Sequence, residues 1–360
     1  MTVRHLIVSG VLVVASSLAA AREPTAAERT EAWVSMTTAR PTPIPASATH
    51  GSGPLAVLLL ADLGADSSTY KDFAERHGAL WTVHTLILPG GEPGVRPHRL
   101  ERGQVNDPDW FINACEAVMQ YAKERGIEKP VVIGHGVGGT TAYMLAIRNP
   151  DFARSTVVVG RLPALPIGSP GNIPSGQMRI SEVDEHARDQ LISMRPRDYR
   201  AQTAVLAADR TVNVDRADLI RRRLDALFPI VYTRYELEAL YLDLRDGLTR
   251  LKTPLLIAGT ISPELSAAAR EHQRTALLNA AFERPMVSLE IFEGVRPWII
   301  VDDPARLDAS LLPFLGLEAS TGAGAAPKPS GDEPAPGGQT ESPAPSPAAD
   351  TPPAPAEGPR

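Results

Sequence analysis

The sequence predicts an α/β protein in which helices flank a mostly parallel, twisted sheet. Three observations carry this prediction: short apolar runs typical of strands buried on both faces, helical patterns between those runs, and Gly or Pro where the two meet. Strands are predicted at 55–60, 82–88, 130–133, 155–159, 254–258 and 286–292. Helices are predicted at 108–125, 138–148, 263–282 and 304–315.

A helical insertion interrupts this alternation at residues 162–247. It opens with a loop rich in Pro and Gly, and helical patterns without a convincing strand follow at 182–194, 196–208, 215–227 and 233–245. The α/β pattern then resumes. The sequence therefore predicts a core in two parts, 54–161 and 248–317, with an inserted helical cap between them.

The N-terminus has the three parts of a secretory signal. Arg4 and His5 form a short positive region, residues 6–18 are apolar and uncharged, and residues 19–21 supply a small-residue cleavage pattern. Residues 1–21 are therefore predicted to be a signal peptide, and the mature chain is predicted to be periplasmic or extracellular with no transmembrane span. The alternative is an uncleaved anchor, although the apolar stretch is shorter than the roughly 20 residues that a spanning helix needs.

The segments that flank the predicted core have compositions that are not typical of a packed domain. Residues 22–53 are rich in Ala, Thr and Pro, and we expect a loosely ordered lead-in. Residues 318–360 consist mainly of Pro, Ala, Gly, Ser and acidic residues. Such a segment buries too little apolar surface to offset the entropy lost on ordering, so a disordered tail is predicted.

Composition argues against several classes of function. The formal net charge is −6, so there is no basic excess to neutralise phosphates, and nucleic-acid binding is not expected. Cys115 is the only cysteine, which leaves the monomer without a disulfide and favours the role of a small buried side chain. No His and Cys pattern has metal-ligand spacing, so neither a metal nor another cofactor is expected.

A glycine-rich turn follows the third predicted strand. It contains Gly134, His135, Gly136, Val137 and Gly138. This strand–turn–helix resembles the nucleophile elbow of the α/β-hydrolases, whose pattern is G-x-S-x-G. Glycine stands at the nucleophile position. The alternative, a phosphate-binding turn of a dinucleotide-binding unit, requires G-x-G-x-x-G after the first strand of the unit, whereas two strands precede this motif.

Three further landmarks of the α/β-hydrolases can be located by their place in the chain, although the residues there differ from those of the family. Members usually carry His-Gly after the first long apolar strand, where this chain has Ala61 and Asp62. The family's acid usually follows the strand before the last, where this chain has Ser262. The family's histidine usually lies about seven residues before a proline that opens the last helix, and counting back from Pro304 reaches Pro297. The resemblance covers residues 54–315.

The resemblance implies a degenerate catalytic triad. Acyl transfer on this fold needs an attacking oxygen or sulfur, a base and an acid. At the nucleophile position Gly136 has no side chain, at the base position Pro297 cannot accept or relay a proton, and at the acid position Ser262 has no negative charge to stabilise an imidazolium. The loss of one triad member typically costs a factor of about 10⁴ to 10⁶ in rate. The oxyanion hole of the family is made by backbone N–H groups, which the resemblance assigns here to Leu63 and Val137.

Four side chains are candidates for the lining of the former pocket. They are Asp62, His135, Arg296 and Trp298. One interpretation makes them a polar ligand site. The other is that the polar members pair with one another or face solvent.

Three hypotheses about function remain. The first is an exported, non-catalytic homologue that binds a small apolar or carboxylate ligand or a protein partner. The second is an active, esterase-like hydrolase or a lyase that uses displaced residues. The third is a structural or cell-envelope protein whose Pro- and Ala-rich tail makes the contacts. The fold by itself does not decide among them.

Overall fold

A computed structural model of the chain describes residues 25–36, 41–45, 47–94, 109–165 and 196–317. Three predictions lie outside these ranges: the signal peptide at 1–21, the disordered tail at 318–360 and the cap helix at 182–194. No helix among the described residues is both long and apolar enough to cross a membrane.

Seven strands form one sheet in the described part of the chain. They are β1 Ser47–His50, β2 Leu55–Leu60, β3 Trp81–Leu86, β4 Val131–His135, β5 Ser155–Val159, β6 Leu255–Ile261 and β7 Val287–Glu293. Their order is β1-β3-β2-β4-β5-β6-β7. All neighbours are parallel except β1, which pairs antiparallel with β3. The prediction of a mostly parallel sheet is confirmed.

Ten α-helices are present in the same ranges. They are α1 Ala26–Val34, α2 Lys71–His77, α3 Asp109–Glu124, α4 Val137–Arg148, α5 Pro196–Arg210, α6 Val214–Ala226, α7 Pro229–Tyr241, α8 Ala267–Ala281, α9 Ile299–Asp302 and α10 Pro304–Phe314. The predicted core helices lie within a few residues of α3, α4, α8 and α10. The short helix α2 was not predicted from the sequence.

The central strands are buried on both faces, as their continuous apolar runs require. Every residue of β4, β5 and β6 is buried, and α4 is buried from Val137 to Ile147. Cys115 lies inside this core, where burial raises the pKa of its thiol to about 12. A protonated thiol in apolar surroundings is not a nucleophile.

The prediction of a loosely ordered lead-in at 22–53 is wrong for the part that the structure describes. Helix α1 begins with a capping box between Thr25 and Glu28. Its Trp33 is 4% exposed and packs edge-on against Tyr241. The carbonyl oxygens of Trp33 and Val34 accept hydrogen bonds from the Arg148 guanidinium. Tertiary contacts to Tyr241 and Arg148 therefore hold in place a segment whose composition alone favours a loop.

Residues 196–241 of the inserted segment form α5, α6 and α7. These helices correspond to the predicted cap, whose role stays a prediction, and are called the cap helices below. Helix α7 begins at Pro229, four residues earlier than predicted, because proline suits the first helical turn. It ends at Tyr241, because the chain then leaves the helix to pair with the start of the insertion. Leu244 donates a backbone hydrogen bond to Pro163, and Asp243 forms a bridge with Ala164.

Candidate functional site

The elbow lies where the strand order of the sheet reverses. Strand β3 is on one side of β2 and β4 is on the other, and the carboxyl ends of such strands form the usual ligand crevice of an open α/β sheet. Gly136 joins β4 to α4 with φ +53° and ψ −120°. Only glycine adopts such a conformation without strain. A Cβ atom at Gly138 would lie 2.2 Å from the Leu60 oxygen, so this turn also needs close backbone approach.

The side chain of Asp62 fills the space in front of Gly136. A Cβ atom at position 136 would lie 2.2 Å from Asp62 Cγ and within 2.6 Å of both carboxylate oxygens. Such distances are far below van der Waals contact. The carboxylate therefore occupies the volume in which a nucleophilic side chain would begin.

The same carboxylate occupies the two backbone donors that the resemblance assigns to the oxyanion hole. The N–H groups of Leu63 and Val137 both donate to Asp62 Oδ1, each at 2.9 Å. In this structure the two donors are not open to a ligand, because the chain's own carboxylate already binds them.

The second carboxylate oxygen is held by residues from distant parts of the chain. Trp298 Nε1 donates to Asp62 Oδ2 at 3.1 Å, and Arg210 Nε lies 3.5 Å from the same oxygen. Arg210 is the last residue of α5, so this ion pair joins a cap helix to the core. Its guanidinium also donates to the Leu63 carbonyl, and its own carbonyl accepts the backbone N–H of Trp298 at 3.0 Å.

The Asp62 carboxylate is buried but ionised. Burial raises its pKa, but the Arg210 charge and the donors of Val137 and Trp298 outweigh that effect, so its pKa lies below the usual value. The side chain is only 5% exposed. The two backbone donors that the resemblance assigns to an oxyanion hole therefore already bind a buried anion whose charge is compensated by Arg210.

Both ring nitrogens of His135 are engaged. Nε2 lies 3.2 Å from the Pro297 carbonyl oxygen, which can only accept, so this nitrogen carries the proton. Nδ1 lies 2.8 Å from the Tyr70 hydroxyl and accepts a hydrogen bond from it. The Tyr70 oxygen in turn accepts the backbone N–H of Asp62 at 3.1 Å. No lone pair of the imidazole is left to act as a base.

Burial determines the protonation states of His135 and Tyr70. It lowers the pKa of His135 to about 4, so the imidazole is neutral at neutral pH. It raises the pKa of Tyr70 well above the usual range, so the phenol stays protonated. The Tyr70–His135 contact is thus a neutral hydrogen bond between buried groups, without an activated nucleophile.

The positions assigned to the acid and the histidine lie at the expected end of the sheet. Ser262 directly follows β6, and its hydroxyl donates to Glu264 at 2.5 Å. Pro297 follows β7 and contributes its carbonyl to His135, while its ring and backbone lie against Gly160. Their identity as degenerate triad positions rests on the resemblance and stays a prediction.

The four predicted pocket residues do not all meet. Asp62, His135 and Trp298 converge, and the rings of His135 and Trp298 lie edge to face at 5.1 Å. The prediction is wrong for Arg296, whose guanidinium donates to Glu264 at 3.0 Å and to the Thr211 carbonyl at 2.7 Å. Its side chain therefore links the segment after β7 to the turn between α5 and α6, away from Asp62.

Sequence reasoning missed two members of this cluster. Arg210 ends a cap helix, and Tyr70 ends a 3₁₀ turn at Ser67–Tyr70. Neither belongs to a motif, and only the folded chain brings them to Asp62. Within the described ranges, no group of three or more His, Cys, Asp or Glu side chains is placed to hold a metal ion.

The parallel sheet and the strand–turn–helix at Gly136 define an α/β-hydrolase fold. The structure is similar to that of a hydrolase from Oleispira antarctica, with TM-score 0.58, 18% identity, and coverage of 76% of this chain and 94% of that chain. It is also similar to the esterase RhEst1 from Rhodococcus sp. ECU1013, with TM-score 0.54, 15% identity, and coverage of 75% of this chain and 94% of that chain. A third similar structure is MenH from S. aureus, with TM-score 0.54, 15% identity, and coverage of 75% of this chain and 97% of that chain. No protein-family model and no curated protein matches the sequence. At these identities the similarity establishes the fold.

The low pKa of His135 predicts a loss of stability in mild acid. Its pKa falls from 6.5 in the unfolded chain to about 4 in the folded one, so the unfolded state binds the proton first as the pH drops. The contribution of His135 is therefore complete above pH 6.5 and decreases by about 1.4 kcal/mol per pH unit towards pH 4. Asp62, whose pKa is lowered, is affected only in more acidic solution.

This pH dependence can be measured by urea unfolding between pH 7.5 and 4.5. The variant His135→Gln retains a donor for Pro297 but does not titrate, so its curve should be flatter than that of the wild type. His272→Gln, at a half-buried histidine on α8, is the matched control. If the free energy of unfolding of the wild type and of His135→Gln changed equally with pH, the lowered pKa of His135 would be contradicted.

Proposed function

We propose that this chain is a non-catalytic α/β-hydrolase-fold protein, a pseudoenzyme, that is exported to the periplasm or the cell exterior. It acts by binding a small apolar ligand or a protein partner. The observation that carries the proposal is the position of Asp62. Its carboxylate occupies the space in front of Gly136 where a nucleophile would begin. It also accepts the hydrogen bonds of the two backbone N–H groups assigned to the oxyanion hole. Export rests on the N-terminal sequence alone.

The chemistry of the surrounding groups supports this proposal. Glycine offers no nucleophile, and His135 has no free lone pair. The hydroxyls nearest the elbow in sequence are engaged, since Thr140 Oγ1 accepts from Arg161 Nε at 3.1 Å and Thr141 Oγ1 donates to the Val137 carbonyl at 3.5 Å. Among the described residues, no Ser, Thr or Cys side chain is hydrogen-bonded to His135.

The alternative is an active, esterase-like hydrolase that uses displaced residues. The similar solved structures include proteins named as a hydrolase and an esterase, so activity must be tested directly. Such an enzyme would have to move Asp62 out of the oxyanion donors and release a nitrogen of His135. Both movements break buried hydrogen bonds.

A labelling and turnover experiment distinguishes the two. Purified protein is incubated with a fluorophosphonate probe and, separately, with a short-chain aryl acetate. We expect no covalent label and no hydrolysis above buffer. His135→Gln serves as the control for contaminating esterases, because contamination is unaffected by this substitution. Turnover that the wild type shows and His135→Gln lacks would overturn the proposal and establish a hydrolase with a displaced catalytic centre.

A further inference from the structure

A cavity lies one strand away from the elbow, next to the carboxyl ends of β5 and β6. Its volume is about 360 Å³, within the range of small-molecule sites, which begins at about 300 Å³. It lies between these strand ends, the start of the inserted segment and α8, and is partly open to solvent. Its walls are mainly apolar and include Leu162, Leu165, Leu265, Ala269, Leu277 and Pro297.

The polar residues that line this cavity are Arg161, Thr260, His272 and Gln273. The side chains of Arg161 and Gln273 are committed to other parts of the protein. Arg161 lines it, but its guanidinium pairs with Glu236 at 3.0 Å and donates to Thr140 at 3.1 Å. The side-chain amide of Gln273 donates to the Thr260 carbonyl at 2.8 Å. The positive charge of Arg161 is thus compensated inside the protein. A ligand carboxylate would therefore lose its hydration without gaining Arg161 as a free counter-charge.

We propose that this cavity binds a small, neutral, mostly apolar molecule. The inference deepens the proposed function and rests on it, since it places the ligand of a non-catalytic protein. Burial of apolar surface against leucine and proline walls supplies the affinity. The chemistry of the walls favours a neutral ligand over the carboxylate that the sequence also allowed.

Pro297 separates this cavity from the buried cluster of Asp62, His135 and Trp298. Its carbonyl accepts a hydrogen bond from His135 Nε2, while the residue also lines this cavity. A molecule in this cavity therefore lies behind Pro297, outside the Asp62 cluster. Binding there needs no movement of the Asp62 carboxylate and involves no chemical step.

The probe for this test is N-phenyl-1-naphthylamine, a neutral aromatic amine whose fluorescence rises in apolar surroundings. The full chain should bind it saturably. Ala269→Phe fills the cavity from α8 and should weaken binding at least tenfold. Ala268→Phe makes the same change at an exposed position next to it and should bind like the wild type. The two variants should share one thermal midpoint, which excludes unfolding as the cause.

A second titration tests the charge preference. 1-Naphthoate, an anion with a comparable aromatic body, is titrated in competition with the neutral probe and should bind at least tenfold more weakly. The absence of saturable binding, equal affinities for Ala269→Phe and Ala268→Phe, or a preference for naphthoate would each overturn the inference. Hydrolysis of the aryl acetate would overturn the proposed function instead, and these titrations do not depend on that outcome.

Discussion

Replacement of Asp62 by Ala is expected to destabilise the protein by about 3–5 kcal/mol, the usual result of removing one partner of a buried ion pair. The substitution leaves the Arg210 guanidinium buried without its counter-charge, although it keeps its bond to the Leu63 carbonyl. It also removes the acceptor for the N–H groups of Leu63 and Val137. Urea unfolding at pH 7.5 measures the effect as the change in the free energy of unfolding.

Two comparisons isolate the cause of this loss. Asp151→Ala breaks an ion pair with Lys252 in which both side chains are mostly exposed, and such pairs contribute little. Adding Arg210→Met to Asp62→Ala removes the orphaned charge, so the double variant should be more stable than the sum of the single losses indicates. A loss for Asp62→Ala as small as that for Asp151→Ala would show that the carboxylate does not hold the cap to the core.

Introduction of serine at position 136 is expected to destabilise the protein and to give no esterase activity. In Gly136→Ser the new Cβ atom would lie 2.2 Å from Asp62 Cγ, and the Asp62 side chain cannot move without breaking its bonds to Val137 and Trp298. Backbone strain at φ +53° adds to this clash. We expect a loss of about 3 kcal/mol from the two effects together. We also expect no esterase activity, since no base is available.

The clash and the backbone strain can be separated. Gly126 has a similar φ of +64° but nothing within 4 Å of an added Cβ, so Gly126→Ser reports strain alone, which costs about 1 kcal/mol. Combining Gly136→Ser with Asp62→Gly removes the clash. The double variant should therefore lose less stability than the two single losses summed. Strict additivity would mean that Asp62 does not occupy the nucleophile space in solution.

The architecture of the core could be predicted from the sequence because it depends on local patterns. Continuous apolar runs determine strands that are buried on both faces, and the glycines at 134, 136 and 138 fit a turn that needs close backbone approach. The prediction that catalytic side chains are missing at the triad positions also depends on residue type alone, and it stays a prediction. No side-chain geometry was needed to identify Gly136 as a residue without a nucleophile.

The state of the site was decided only by the tertiary structure. The sequence allowed Asp62 to face solvent. In the structure its carboxylate lies against Gly136, and Arg210 and Tyr70 contact the residue from distant parts of the chain. Arg296 was expected in the same place but points to Glu264. The physical reason is the same in each case. Side-chain direction and the pairing of buried charges depend on contacts between residues that are far apart in the sequence, and local periodicity carries no information about them.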